Sequence, residues 1–405
     1  MQPHFLDGIR FVDLTWAGAG PFSTKLFSDF GADVIKVESR SRPDPVRIGG
    51  PYRNKQPGLN RSGYFASRNT GKRSLAINLK HPISRDVLFA LIREADVVSN
   101  NFGPGAMERL GLGYDQVRNV KPDIIYLAMP MYGESGPLAG LTGVGMTISA
   151  VSGLMWQTGY EDGGPLGPGT HFPDHAANPY HAAFAVIAAL RHRRATGNGM
   201  KIDLSQVEST INCMGLPCME AVVTGEECDR VGNRSRFHAP HNIFRCAGED
   251  SWCAIAVLDD TQWQKLAHQI GSDGLATGPS LATAAERLAK VERVERAVAT
   301  WTASRDATDV MTTLQSHGIP AGVVASSRFI MDEDRQLAHR GYFQTIDHPE
   351  IGASRFTSPP FLLDGERVEL RRPPLLGEHN EDVLCGILNY SKEQVQQLNA
   401  QGVLE

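Results

Sequence analysis

The sequence predicts an α/β fold, an open parallel-sheet domain joined to a smaller domain, on three observations. Short apolar runs alternate with helix-length segments from Ile9 to Met129. The first such helix has Pro21 at its start and Gly31 just past its end, the punctuation expected of a helix between two strands. From about residue 225 the alternation gives way to two short strands and three helical stretches.

Taken in order, Ile9–Trp16 reads as a buried strand, Ala17–Pro21 as a small-residue turn, Pro21–Phe30 as a helix and Ala32–Glu38 as a second strand. Strand, helix and strand make one βαβ unit with parallel pairing and a right-handed crossover. The pattern repeats as strand Ser74–Leu79, helix Ile83–Glu94 and strand Asp96–Asn100. After the Asn101–Gly105 loop and a short helix comes a strand at Asp123–Met129. Ligands of such a sheet bind outside the strand carboxyl ends. A glycine-rich region, Gly133–Gly169, precedes a long helix at Pro179–Arg194. There Tyr180, Phe184, Ile187 and Leu190 recur at helical spacing, with alanines between them to allow close packing on other backbone. Ser205–Thr224 reads as one more helix. The smaller region, residues 225–329, holds strands at Asn242–Arg245 and Trp252–Val257 and helices at Asp260–Ile270, Leu281–Ser304 and Ala307–His317. The remaining segment, 330–405, is turn-rich and closes on a helix at Lys392–Gln401.

Composition narrows the function. The chain has 405 residues, 41% of them apolar and 21% charged, with a net charge of −5. That balance fits a globular protein and argues against general nucleic-acid binding, which needs a basic face. No run reaches the length of a membrane span, and Met1–Asp7 lacks the basic start and apolar run of a signal peptide. Cys213, Cys218, Cys228, Cys246, Cys253 and Cys385 follow no metal-ligand spacing, and a chain this large needs no disulfide staples, so a cytoplasmic location is expected.

Three clusters compete for the chemistry. Gly18-Ala19-Gly20-x-x-Ser23 between two strands, with Glu38 beyond, imitates a dinucleotide fingerprint, which would make the chain an NAD-dependent dehydrogenase; the third glycine is missing. His171, Asp174, His175 and His181 are dense enough to suggest a metal, but match no standard ligand spacing, so none is expected. Asp174 alone lies four residues before Asn178-Pro179, which reads as an N-cap followed by Pro at the first helical position. A carboxylate there, near the positive end of a helix, stays ionised as a nucleophile must; it could equally be a capping acid. Arg40, Lys72, Arg73, Lys80 and Arg109 lie in or just after loops of the sheet and could together hold a pyrophosphate, while Phe102 could stack an adenine or fill the core.

Several segments together resemble the class III CoA-transferases, the family of formyl-CoA transferase and crotonobetainyl-CoA:carnitine CoA-transferase. They are Leu6–Leu14, Phe30–Glu38, Asn69-Thr70-Gly71-Lys72-Arg73-Ser74, Asn101-Phe102-Gly103-Pro104-Gly105, Arg194–Gly199 and Pro374-Leu375-Leu376-Gly377-Glu378-His379-Asn380. The resemblance implies a Rossmann-like large domain, 1–224 completed by 330–405, a small domain at 225–329, and an interlocked homodimer. It implies transfer of CoA from an acyl-CoA to a carboxylic acid through aspartyl anhydride and aspartyl-CoA intermediates on Asp174. Coenzyme A would be substrate, with no tightly bound cofactor. CoA contacts carry over to Ala17, Gly18, Arg40, Ile77, Lys80, Asn101, Phe102, Gly103 and Arg109. His171, His175, His238, Arg236 and Trp156 could line an acceptor pocket.

This sequence departs from the family pattern in places. A gapless match would put His175 at the nucleophile, and an imidazole cannot form the acyl anhydride. Ser39 follows Glu38 where the family has arginine, so Arg40 is a contact shifted by one residue. Arg234–His238 is not glycine-rich where formyl-CoA transferase has a glycine lid. Racemases of the same fold use a His and an Asp from a Gly-His-Asp segment; Gly143-Val144-Gly145-Met146 has neither. A CoA-binding protein without catalysis is the remaining alternative.

Overall fold

A computed structural model describes residues 5–271 and 279–405. Two compact units emerge. One comprises residues 1–155, 167–225 and 336–405; the other comprises 156–166 and 226–335. Residues 156–166 thus cluster with the later part of the chain and not with their sequence neighbours.

The larger unit is built on six strands, β1 (Arg10–Asp13), β2 (Asp33–Glu38), β3 (Arg73–Ala76), β4 (Val97–Asn100), β5 (Ile125–Ala128) and β6 (Met200–Asp203). They lie in the order β3-β2-β1-β4-β5-β6 with every pair parallel. This is the doubly wound order, with its topological switch between β1 and β4. Strand alternation sorts side chains to two faces. Phe11, Val34, Val97 and Ile125 point to one core, and Val12, Ile35, Val98 and Tyr126 to the other. The strand at β6 was not expected. It adds beside β5, and its short MKID run has no fully buried residue to mark it.

The helices in chain order are α1 (Ala19–Asp29), α2 (Gly63–Arg68), α3 (Pro82–Arg93), α4 (Ala106–Arg109), α5 (Tyr114–Val120), α6 (Gly145–Val151), α7 (Leu154–Gln157), α8 (Asn178–Thr196), α9 (Gln206–Asn212) and α10 (Gly215–Thr224). The expected helix at 205–224 is two helices broken near Gly215. In α8 the buried stripe is Ala182, Val186 and Ala189, packed with α1, while Phe184 is 77% exposed and Tyr180 and Ile187 face outward. Small side chains bring the helix close to the core, as the alanines led one to expect; of the four large residues Leu190 packs against that core, and Tyr180, Phe184 and Ile187 stay outside.

The segment 336–405 contributes a hairpin, Phe343–Ile346 against Ser354–Thr357, and two helices whose Val383, Leu384 and Leu398 enter the core beneath β3 and α3. The smaller unit has a three-stranded antiparallel sheet of Trp252–Ala256 between His241–Arg245 and Ala321–Val323. Its helices pack Trp263, Leu266, Val294, Val298 and Leu314 on that sheet. The stretch expected as one helix over 281–304 is 284–289 and 291–302, divided at Lys290.

Candidate active site

The turn after β1 is shaped by buried charge. Asp13 accepts bonds from the Thr15 N–H and hydroxyl, Thr24, Ser99 and the Lys72 ammonium. Lys36 donates to the Thr15 carbonyl at 2.7 Å and pairs with Asp44 at 3.0 Å. Asp44 in turn accepts the Ala17 N–H at 3.0 Å, which holds Ala17 at φ 62°, a conformation uncommon for a residue with a Cβ. Each buried ion is paired and hydrogen-bonded, the condition for tolerating it in a core. The strained residue ends one position before Gly18, so the network sets where α1 begins.

These contacts correct two expectations. Lys72 and Arg73 are not free to hold a pyrophosphate: Lys72 is enclosed with Asp13, and Arg73 pairs with Asp33. Burial drives the Lys72 ammonium down to about 8, against the pull of Asp13. Glu38, the acid of the dinucleotide pattern, is fully buried in a two-pronged pair with Arg47, at 2.7 and 2.8 Å, and accepts from Ser74. It cannot reach a ribose, so the dehydrogenase reading loses its specificity residue.

Because all the strands run the same way, the other candidates gather along one edge of the sheet. Ala17 and Gly18 follow β1, Arg40 follows β2, Ile77 and Lys80 follow β3, and Asn101, Phe102, Gly103 and Arg109 follow β4. Asn101 bridges the switch point, accepting the Trp16 N–H and donating to the Trp16 carbonyl, both at 2.8 Å. Phe102 stands edge-on to Trp16, with ring centres 5.2 Å apart, and Arg42 lies over the Trp16 ring. Arg40, Lys80 and Arg109 are exposed. Ile77 is fully buried in the core, its N–H bonded to the Glu38 carbonyl, so it offers no exposed surface to a ligand.

Asp174 does not precede a capped helix. Pro173–Ala177 forms a π turn that runs directly into α8, and Asn178, expected as the cap, instead donates its side-chain amide to Gln206 at 3.1 Å. Two glycines make room for the carboxyl. A methyl group on Gly18 would stand 3.0 Å from Asp174 Cβ and 2.9 Å from the Tyr64 hydroxyl; one on Gly145 would stand 2.5 Å from Asp174 Oδ2. Neither glycine needs a positive φ, so space is what selects them. Gly18 caps α1 and Gly145 opens α6.

Burial is the main influence on Asp174 and raises its pKa to about 6. The charges of His171 and Arg68 and the Gly145 backbone amide oppose that rise. Around it, His175 Nε2 and the Tyr64 hydroxyl are hydrogen-bonded at 3.1 Å, and Phe22 stands edge-on to His175. Burial, with Arg68 and His171 nearby, pushes His175 down to about 4, so it is a neutral imidazole at physiological pH. Tyr64, Arg68 and Gly145 were not singled out in the sequence. Tyr64 and Arg68 lie on a short helix between two recognised segments, and Gly145 is one glycine among many in its region. Among the described residues no group of three or more His, Cys, Asp or Glu could hold a metal, no helix is long and apolar enough to cross a membrane, and all six cysteines are free. Trp156, Arg236 and His238 belong to the smaller unit.

A sequence model described as CoA-transferase family III matches residues 6–380. The chain is 32% identical over 418 aligned positions to the formyl-CoA:oxalate CoA-transferase of Streptomyces coelicolor, covering 100% of both chains. It is 30% identical to the succinyl-CoA:glutarate CoA-transferase of Mus musculus, over 100% of this chain and 91% of that one. A solved structure of a CaiB/BaiF family protein from Brucella suis is similar with a TM-score of 0.86 at 28% identity, covering 94% of this chain and 99% of the other.

Proposed function

The chain belongs to CoA-transferase family III, and from that premise we propose that it transfers CoA from an acyl-CoA to an acceptor carboxylic acid through covalent intermediates on Asp174. The observation that carries this is a desolvated carboxyl wedged between Gly18 and Gly145, where no bulkier residue fits beside it. Partial burial reduces the water that would screen a carboxylate nucleophile there.

The steps need no net proton transfer. A carboxylate oxygen of Asp174 attacks the thioester carbonyl, the C–S bond breaks, and a mixed anhydride and CoA thiolate result. The thiolate attacks the Asp174 carbonyl of the anhydride, forming aspartyl-CoA thioester and releasing the donor acid. The acceptor carboxylate then attacks that thioester and expels the thiolate. The thiolate finally takes the acyl group, restoring the Asp174 carboxylate. Each addition develops an oxyanion. The Gly145 amide and the amides of the Gly18–Gly20 turn are the donors best placed to meet it, and one such donor contributes about 2.7–4 kcal/mol in a comparable acyl transfer.

CoA would lie along the strand carboxyl ends, in contact with Ala17, Gly18, Arg40, Lys80, Asn101, Phe102, Gly103 and Arg109. The larger unit, residues 1–155, 167–225 and 336–405, would form the CoA-binding domain, and the other unit the small domain. A homodimer, interlocked as in the family, is supported by apolar side chains left in the open on α8 and α10: Phe184 at 77%, Leu216 at 78% and Val222 at 80% exposure. Six free thiols suit a reducing cytoplasm.

The deciding experiment is Asp174→Ala. It should abolish transfer and leave CoA affinity and the fold near wild type. Wild type incubated with acyl-CoA and then hydroxylamine should carry a hydroxamate on the Asp174 peptide, seen by mass. An unlabelled peptide together with an active alanine variant would remove Asp174 and the covalent route.

A further inference from the structure

Two arginines of the larger unit, Arg47 fully buried and Arg68 partly so, differ in what satisfies them. Arg47 is fully met: Glu38 takes it with both oxygens, and the Leu59 carbonyl and the Asn60 side chain accept at 3.0 Å. Arg68, the last residue of α2, is not. Its guanidinium lies over the Phe22 ring with Cζ 4.5 Å from the ring centre, and 5.8 Å from that of Tyr64. Its Nε is buried and has no hydrogen-bond partner among the described residues.

Its electrostatic neighbours are Tyr64, Tyr180, Tyr342 and Asp174, of which Asp174 alone bears a carboxylate. That carboxylate is the reacting group on the reading given above. A guanidinium presents five donors in a fixed fork matched to a carboxylate. Aromatic faces and tyrosine hydroxyls do not neutralise it, and a buried donor left unmade is costly. Arg68 lies over the Tyr64 ring, and the Tyr64 hydroxyl and Asp174 Cβ both border the space left by Gly18, so a partner that completes the guanidinium enters with the substrate.

On the reading of Asp174 as the covalent centre, we propose that Arg68 is a specificity-determining residue that binds the second carboxylate of a small dicarboxylic acid while the first reacts at Asp174. The aromatic ring of Phe22 beneath the guanidinium, 4.5 Å from Cζ, limits how the fork can turn. A monocarboxylic acid of the same length would leave the fork unpaired. Discrimination would come as much from that unmet donor as from the pair itself.

The test compares acceptors matched in length, succinate against butyrate and glutarate against valerate, with acetyl-CoA and succinyl-CoA as donors. Wild type should favour the diacid in kcat/KM. In Arg68→Met the diacid-to-monoacid ratio should fall by roughly 10- to 100-fold, the scale of a lost charge-assisted pair, and Arg68→Lys should restore part of it. The ratio is the readout because any effect of Arg68 on Asp174 itself acts on both acids and cancels. Arg68→Gln serves if the methionine variant does not fold. A ratio unchanged by these variants overturns the assignment, whatever the absolute rates. Failure of every acid pair to react would count against the Asp174 reading, and binding then decides Arg68 separately. Free succinate or glutarate should raise the melting temperature of wild type more than butyrate or valerate do, and not of Arg68→Met. Equal shifts in the two proteins overturn the proposal.

Discussion

Asp174 is held in conflict with its surroundings. Burial favours the neutral acid, yet a nucleophile must be ionised, and His171, Arg68 and the Gly145 amide recover only part of the difference. Activity should therefore follow one ionisation, with kcat/KM falling about tenfold per pH unit below about pH 6. His175, driven to about 4, should not contribute a second limb in that range. The same shift has a stability consequence of opposite sign. The folded state holds this proton up to about pH 6, while the unfolded chain releases it near the ordinary aspartate value of 3.8. Folded protein therefore binds more protons in that window, and stability falls as pH rises through it. Asp174→Asn removes the buried charge and should stabilise the protein at pH 7.5 by about 1–3 kcal/mol, a gain that closes towards pH 4. Thermal melts of both proteins across that range would show it; a variant no more stable than wild type at pH 7.5 would mean that the carboxylate is not desolvated as described.

Elements matter here by where they end. The turn from β1 to α1 depends on Asp13, Lys36 and Asp44, charges far inside the unit, and α6 is a short helix in a glycine-rich stretch. What they share is an end placed against Asp174. Gly145→Ala would bring a Cβ to within 2.5 Å of Oδ2, so the carboxyl or the helix start must move. The substitution suits a helix and should leave stability nearly unchanged, with any gain within about 1 kcal/mol, while transfer falls by roughly a hundredfold through misplacement of the reacting group. Steady-state kinetics with a melting curve separates the two effects. Normal kcat in a folded Gly145→Ala protein would show that α6 does not bound the site. The π turn before α8 belongs with these ends, since it carries Asp174 on the coil of the helix and not ahead of it.

For the molecule as a whole, the apolar residues left uncovered on α8 and α10 are too many for scattered surface side chains. Phe184, Leu216, Met219, Val222 and Val223 are each more than half exposed. A second copy of the chain would cover them, and interlocked copies could not part without unfolding. Sedimentation should find a dimer at nanomolar concentration, with no monomer appearing on dilution. A monomer that binds CoA and turns over at that concentration would refute the assembly.

The sequence by itself determined the order of strands through residue 129 and the helices α1 and α3, because apolar periodicity and Pro–Gly punctuation are local signals that the parallel sheet then obeys; α2 carried no such signal, and α4 and α5 read as one short helix. The loop residues after β1 to β4 could likewise be read in advance as one edge of a sheet, since parallel strands put all their carboxyl ends on the same side. The family followed from motifs spread along the whole chain, and Asp174 from its place in them. Tertiary structure alone decided which charges are free. Lys72, Arg73 and Glu38 look like ligand-binding residues in a list, and pairing with Asp13, Asp33 and Arg47 occupies them. It also decided that α8 buries Ala182, Val186 and Ala189 and exposes Tyr180, Phe184 and Ile187, which periodicity cannot orient when both stripes are apolar. Arg68, Tyr64 and Gly145 meet Asp174 from positions 29 to 110 residues away in the chain. No local pattern encodes that meeting; it exists only where α2, α6 and the turn before α8 converge.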